Sequence, residues 1–403
     1  MFLWVKQPII TLTFLGDVLK ENNFIPFSIP EIGADEINAV VETLKSGWIT
    51  TGPKVKSFEL DFQNFIGDDQ IAIAVNSATA GLHLALESLG ISKGDEVIVP
   101  SLTFTATAEV ARYLGADVKI VDIDPSTLNI DVEAIRAAIT SRTKVIMPVH
   151  YAGLSCNMDE ILSLAKEFDL KVVEDAAHAL PTTYKGNMIG SLESDATVFS
   201  FYANKTMTTG EGGMVVTHNS DLAKRMKIMR LHGIDRDVFD RFQSKKPSWY
   251  YEVIAPGFKY NMTDIAAAMG IHQLKKLPGF LDRRQYLAKR YFDTLVDLPL
   301  ALPVDDVDGG SHSWHLFVIR VQDNSPVNRD ELIQILSDQG IGSSVHYVPL
   351  HRQPYWRDKY QLTIDIFPIT DKAYQAMLSI PLYAAMSDEQ QGRVIQVLRK
   401  ALT

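Results

Sequence analysis

The sequence predicts an α/β fold with a large domain built on a mainly parallel seven-stranded sheet flanked by helices, followed by a smaller C-terminal α/β domain. Short apolar runs of strand length alternate with stretches of helical periodicity over most of the chain, which is the pattern of βαβ units. Two of those runs end in residues suited to ligands, at the strand ends where an open α/β sheet has its crevice. The length of 403 residues is more than a single core usually holds.

The first strand is expected at 71–75, and a helix opens near Thr79 because Leu82, Leu86 and Leu89 share one face. Further strands follow at 96–99, 118–122, 144–149, 171–174 and 196–201, with a return strand at 213–217. From Asp264 to about Val296 the pattern is helical, and Pro278-Gly279 is expected to break it. The C-terminal part reads as a strand at 314–321, a helix at 329–338, a strand at 343–347 and an amphipathic helix at 388–402. The expected divisions are an N-terminal extension at 1–24, a large domain at 25–280 and a small domain at 281–403.

Composition narrows the classes of partner. Hydrophobic residues make up 46% and charged residues 22%, as in an ordinary soluble globular chain. The net charge of −10 argues against nucleic acid and anionic membrane, which call for basic surfaces. One cysteine, Cys156, excludes an intrachain disulfide and fits a reducing cytoplasm. Residues 1–23 begin apolar but carry only Lys6 and Lys20 as cations, and they form neither a secretion signal nor a span. The run Thr209-Gly210-Glu211-Gly212-Gly213 lacks the spacing of a dinucleotide site.

Lys205 carries the chemistry. It follows an apolar strand and precedes a Thr- and Gly-rich turn, a setting that desolvates an amine and raises its nucleophilic fraction. In Val172-Val173-Glu174-Asp175-Ala176-Ala177-His178, a strand ends in a carboxylate that a pyridinium nitrogen would need; Asp175 is the candidate and Glu174 its alternating neighbour. No second acidic cluster completes a coordination sphere there, so no metal is expected. Asn76-Ser77-Ala78-Thr79-Ala80-Gly81 opens a helix directly after a strand and offers amides and hydroxyls to an anion, to which Ser200 adds another hydroxyl.

Together with Ser46-Gly47-Trp48-Ile49-Thr50-Thr51-Gly52-Pro53, Gly257-Phe258-Lys259-Tyr260-Asn261-Met262-Thr263-Asp264 and Val345-His346-Tyr347-Val348-Pro349, these blocks make the chain resemble the DegT/DnrJ/StrS family. The family comprises pyridoxal-phosphate-dependent (PLP-dependent) sugar aminotransferases of fold type I. The resemblance implies that Lys205 forms the Schiff base, Asp175 pairs with the pyridine nitrogen, and His178 lies near the phenolic oxygen. It further implies that Ala78, Thr79 and Ser200 hold the phosphate and that Phe104 stacks on the ring.

It also implies a homodimer with shared sites, in which Lys259 or Asn261 reaches the phosphate of the other subunit. Many members have Asn and Arg at those two positions. Trp48, Thr51, Lys259, His346 and Tyr347 are implied substrate contacts, with His351 and Arg352 as further wall residues. L-glutamate is the implied donor and a nucleotide-linked keto-sugar the acceptor. The variant around Lys259 looks like members acting on a UDP-linked 4-keto sugar. A PLP-dependent sugar dehydratase of the same family and a non-catalytic regulator are the alternatives, and Lys205 opposes the first because that branch has histidine there.

Overall fold

A computed structural model describes residues 24–67, 69–235, 249–305 and 309–403; the expected N-terminal extension lies outside these except for Phe24. The seven-stranded sheet is present. Its strands are β1 (Ile71–Val75), β2 (Glu96–Pro100), β3 (Asp117–Val121), β4 (Thr143–Ile146), β5 (Lys171–Asp175), β8 (Ala196–Ser200) and β9 (Gly213–Thr217). The small hairpin β6 (Thr183–Tyr184) and β7 (Asn187–Met188) lies apart from it. Strand order is β1-β9-β8-β5-β4-β2-β3, and β9 alone runs antiparallel to its neighbours.

Both sheet faces are covered, which explains the continuous apolar strands. Along β1, Ala72 and Ala74 enter one core cluster while Ile73 and Val75 enter the other. Helices α1 (Ala34–Ser46), α2 (Pro53–Ile66), α3 (Ala78–Ser88), α4 (Ala106–Tyr113), α5 (Val132–Ala138), α6 (Met158–Glu167) and α7 (Ser220–Met229) belong to this part of the chain. The expected strand at 144–149 stops at Ile146. Pro148 has no N–H to continue a ladder, although its carbonyl still accepts from the Asp175 N–H.

The expected break at Pro278 is absent. Helix α8 (Asp264–Leu295) runs through Pro278 and serves two cores in turn. Leu274, Leu277 and Phe280 pack with the large sheet, whereas Leu287, Ala288, Tyr291 and Leu295 pack in the C-terminal core. Burial on both sides of the proline holds the axis together where local preference would end it.

The C-terminal core is built on the antiparallel sheet of β10 (Leu300–Ala301), β11 (Phe317–Val321) and β12 (Met377–Ile380); α9 (Arg329–Asp338), α11 (Pro368–Ala376) and α12 (Asp388–Leu402) belong to this part of the chain, whereas α10 (Pro354–Tyr360) returns to the large sheet, where Trp356 enters its core. Ile25 joins this core and exchanges backbone hydrogen bonds with Gly340 and Gly342 at 2.8 Å each, so the described chain starts against its C-terminal part. The expected strand at 343–347 reduces to a single bridge between Ser344 and Ser379, and that at 314–321 starts only at Phe317 because Trp314 has a left-handed backbone (φ 50°). No helix among the described residues is long and apolar enough to cross a membrane, and no cluster of three metal-ligating side chains occurs among them.

Candidate active site

The carboxyl ends of β5 and β8 and the start of α3 converge on a cavity of about 460 Å³ lined by Ala78, Thr79, Phe104, Asp175, His178, Ser200, Lys205, His346 and Tyr347, among others. These residues come from five separate stretches of sequence. The β8–β9 connection sets the lysine: Lys205 N–H bonds Tyr202 O at 3.0 Å, and Thr208 and Thr209 both bond Phe201 O. The chain then returns antiparallel along β8. Gly213 is required on that return, because a Cβ there would stand 2.8 Å from Ala78 N and 2.9 Å from Phe199 O.

Asp175 and Glu174 divide the alternatives offered by the sequence. Asp175 faces the cavity, accepting from the Thr107 hydroxyl at 2.8 Å on Oδ2 and from Ala177 N–H at 3.1 Å on Oδ1. Glu174 points to the other face of β5, where it is fully buried and bonded to Thr197 and His150 at 2.7 Å each. Its carboxylate is committed to the interior. Burial raises the Asp175 pKa, while Thr107, Ala177 and Lys205 act in the opposite direction. Burial also lowers Lys205, to about 8, with Asp175 opposing.

Above the lysine, the His178 ring bonds the Tyr347 hydroxyl at 2.9 Å, and Tyr347 contacts the Phe104 ring at 5.6 Å between centroids. Ala152 N–H donates to His178 Nδ1 at 3.2 Å, which leaves Nε2 as the protonated nitrogen and donor to Tyr347. His178 sits well below its ordinary pKa through burial first, then the nearby Lys205 and His346. His346 is buried, bonded to Ser379 at 2.9 Å, and lowered to about 4 mainly by burial.

Four expected residues do not line this cavity. Trp48 donates Nε1–H to Thr51 O at 3.1 Å. Thr51 is buried, donating its hydroxyl to Met262 O at 2.6 Å and accepting from the Asn261 amide at 2.6 Å. Lys259 is exposed. Of the further wall residues, His351 is buried against Phe367, stacked at 4.7 Å, and His351 and Arg352 both pair with Asp371, at 3.4 and 2.6 Å. Pairing within the fold, invisible in sequence, removes these two from the wall.

Several lining or supporting residues were not singled out from the sequence: Thr107, Tyr202, Asn204, Glu211 and His315. Asn204, directly before the lysine, was the readable one. Its Oδ1 is buried without a hydrogen-bond partner among the described groups, so a ligand donor fits there. The cavity therefore offers a desolvated amine, a buried carboxylate, a helix start with hydroxyls beside it and an orphan acceptor. That set suits a group with an aldehyde, a basic ring nitrogen and an anion.

The family model described as the DegT/DnrJ/EryC1/StrS aminotransferase family matches residues 30–399. The chain belongs to the DegT/DnrJ/EryC1/StrS aminotransferase family. Among relatives of this aminotransferase, the spore coat polysaccharide biosynthesis protein SpsC of Bacillus subtilis is 47% identical over 384 residues, covering 95% of this chain and 98% of SpsC. Streptococcus pneumoniae Spr1654 was solved in a PMP-form (TM-score 0.87, 35% identity, 94% of this chain and 98% of that one) and in a PLP-form (0.86, 36%, 94% and 100%). PseC of Helicobacter pylori, an aminotransferase involved in the biosynthesis of pseudoaminic acid, matches with TM-score 0.86 and 29% identity, over 94% of this chain and 99% of its own.

Proposed function

We propose that this aminotransferase holds pyridoxal 5'-phosphate in the Lys205 cavity and moves the amino group of L-glutamate to a nucleotide-linked keto-sugar, a UDP-linked 4-keto sugar in particular. The observation that carries the reading is the desolvated Lys205 amine facing Asp175 in one cavity. When bound, the cofactor supplies an electron sink for the pair released at the amino-acid Cα. Asp175 holds a proton on the ring nitrogen, its position fixed by Thr107 and Ala177. The Ala78 amide and the Thr79 and Ser200 hydroxyls seat the phosphate at the start of α3, and Phe104 covers the ring.

Lys205 Nζ first provides the attachment point and then, once displaced by the donor, acts as the base. With its pKa near 8, a fraction of the amine is free at neutral pH to take the Cα proton and return it to the neighbouring carbon. With the cofactor loaded, Lys205 would carry the same proton transfer in reverse when the amino group passes to the sugar. His178 Nε2–H donates to Tyr347, whose own hydroxyl proton is then available at the cavity beside Phe104. Tyr347 and His346 belong to the sugar side of the site.

The reading includes a homodimer. On α1, Ile37, Val41 and Leu44 are exposed on one helical face, a patch suited to a second copy. Lys259 and Asn261 lie outside their own cavity and would complete the phosphate site of that copy. The relative SpsC, named for polysaccharide biosynthesis, supports a role in supplying amino-sugars for a surface polysaccharide. A single buried, unpaired cysteine is compatible with work in the cytoplasm.

The test is the absorbance of the protein with PLP before and after L-glutamate, in wild type and Lys205→Ala. A band shift to the amine form in wild type alone supports the reading. A wild-type spectrum that glutamate leaves unchanged sinks the donor assignment, and release of a deoxy sugar in its place would favour the dehydratase.

A further inference from the structure

One buried imidazole beside the site has no role in the chemistry above. The ring of His315 lies 4.4 Å from that of His178, centroid to centroid, tilted by 45°. It is 4% exposed, and its Nδ1 has no hydrogen-bond partner among the described residues. His315 does not line the cavity, so its neighbour is the side chain and not the ligand.

The stretch that carries it grips the loop on both sides of His178. Ser313 donates its hydroxyl to His178 O at 2.8 Å and its N–H to Gly153 O at 3.2 Å, while Leu316 N–H donates to Ala152 O at 3.1 Å. Ala152 in turn gives its own N–H to His178 Nδ1. Arg284, buried in α8, fixes the stretch from behind through Trp314 O at 2.8 Å and Leu382 O at 3.0 Å. These contacts form a closed saddle around one imidazole.

The saddle has a consequence for protonation. With Nδ1 accepting from Ala152, a second proton on His178 would place two donors face to face. Lys205 and His346 also face His178 with the wrong sign for a cation, as Arg284 does for His315. Tyr151, at 6.4 Å between ring centroids, and Tyr347 are neutral, and Asp175 is the nearby group of favourable sign. Only entry of water would make the charged form accessible.

We propose that His315 is a positioning residue: as a second neutral ring packed on His178 it excludes water there, which keeps the single ring proton on Nε2 and holds the Tyr347 hydroxyl over the Lys205 cavity. This deepens the proposed function and rests on that reading of the cavity, though not on the identity of donor or acceptor. Water admitted behind His178 also lessens the burial of Lys205, which is the main cause of its low pKa.

The test uses the full-length, cofactor-free protein, labelled with 15N at histidine. Ring-nitrogen shifts report the His178 tautomer, and the pH dependence of Lys205 reductive methylation, read by peptide mass, reports the amine. In wild type and His315→Phe, His178 stays in the Nε2–H form across neutral pH. In His315→Ala, His178 titrates near its ordinary range and the Lys205 midpoint rises by about 1 unit.

An Ala variant that folds but leaves both readouts at wild-type values overturns the proposal, as does a Phe variant that shifts both like Ala. Should His315→Ala not fold, His315→Asn replaces it against Phe, with the same criteria. Because no cofactor or glutamate is present, failure here is distinct from failure of the aminotransferase reading.

Discussion

Thr107 donates its hydroxyl to Asp175 Oδ2 at 2.8 Å and itself accepts from Thr103 at 2.7 Å, so a two-hydroxyl relay from the start of α4 fixes the carboxylate at the end of β5. Helix α4 follows β2, two strands away in the sheet. The contact is therefore made by tertiary structure alone. Thr107→Val keeps the shape and removes the donor, leaving a buried carboxylate with the Ala177 N–H as its remaining hydrogen bond. Its pKa then rises further, and the hold on the cofactor ring weakens. PLP titration followed by absorbance should give an affinity lower by about tenfold, and Asp175→Asn should lower kcat by about 10²-fold or more.

Lys205 gives a pH dependence of unusual sign. Its amine is held at about 8 in the folded, cofactor-free protein against an ordinary 10.5. Between those values the unfolded chain binds more protons than the folded one, so stability rises with pH across this window. The upper bound on the gain is about 3 kcal/mol. Thermal melts of the apo-protein from pH 8 upward should show this rise in wild type and not in Lys205→Met; parallel curves for the two would refute the desolvated amine.

The chain announced its sheet and much of its site because both depend on local signals. Strands buried on two faces read as unbroken apolar runs, as in β1 and in Val97–Val99 of β2, and β5 keeps the shorter run Val172-Val173. Lys205, Asp175 and the α3 start lie where such runs end, and a strand end is legible. What stayed hidden depends on pairing at long range. Nothing in the sequence says that Glu174 belongs to His150 and Thr197, that Asp371 captures His351 and Arg352, or that Thr107 serves Asp175. The continuity of α8 through Pro278 is of the same kind: local preference predicts a break, and packing of Phe280 and Leu287 in two successive cores overrides it.

Two glycines should respond in opposite directions to alanine. A Cβ on Gly213 meets the backbone at Ala78 N and Phe199 O, neither of which can rotate away. Gly213→Ala must displace the start of α3, costing about 1–3 kcal/mol, with weaker PLP retention. Gly279 lies inside α8 with nothing within 4 Å of its Cβ position, so Gly279→Ala should stabilise by up to about 1 kcal/mol. Denaturant midpoints for the two variants check both signs.

The exposed face of α1 provides the test of assembly. Glu36, Ala39 and Thr43 are buried on one side of the helix, while Ile37, Val41 and Leu44 are exposed at 47%, 39% and 52%. Their spacing of four and three residues places them in one row. A charge in that row is harmless on a free surface and strongly unfavourable in an apolar interface. Leu44→Glu should therefore halve the mass seen by sedimentation and leave the melting of the isolated chain little changed. If Lys259 and Asn261 complete the site of a second copy, the same variant also loses PLP on dilution, although it alters nothing in its own cavity. A Leu44→Glu protein that sediments like wild type would place any dimer contact elsewhere on the molecule.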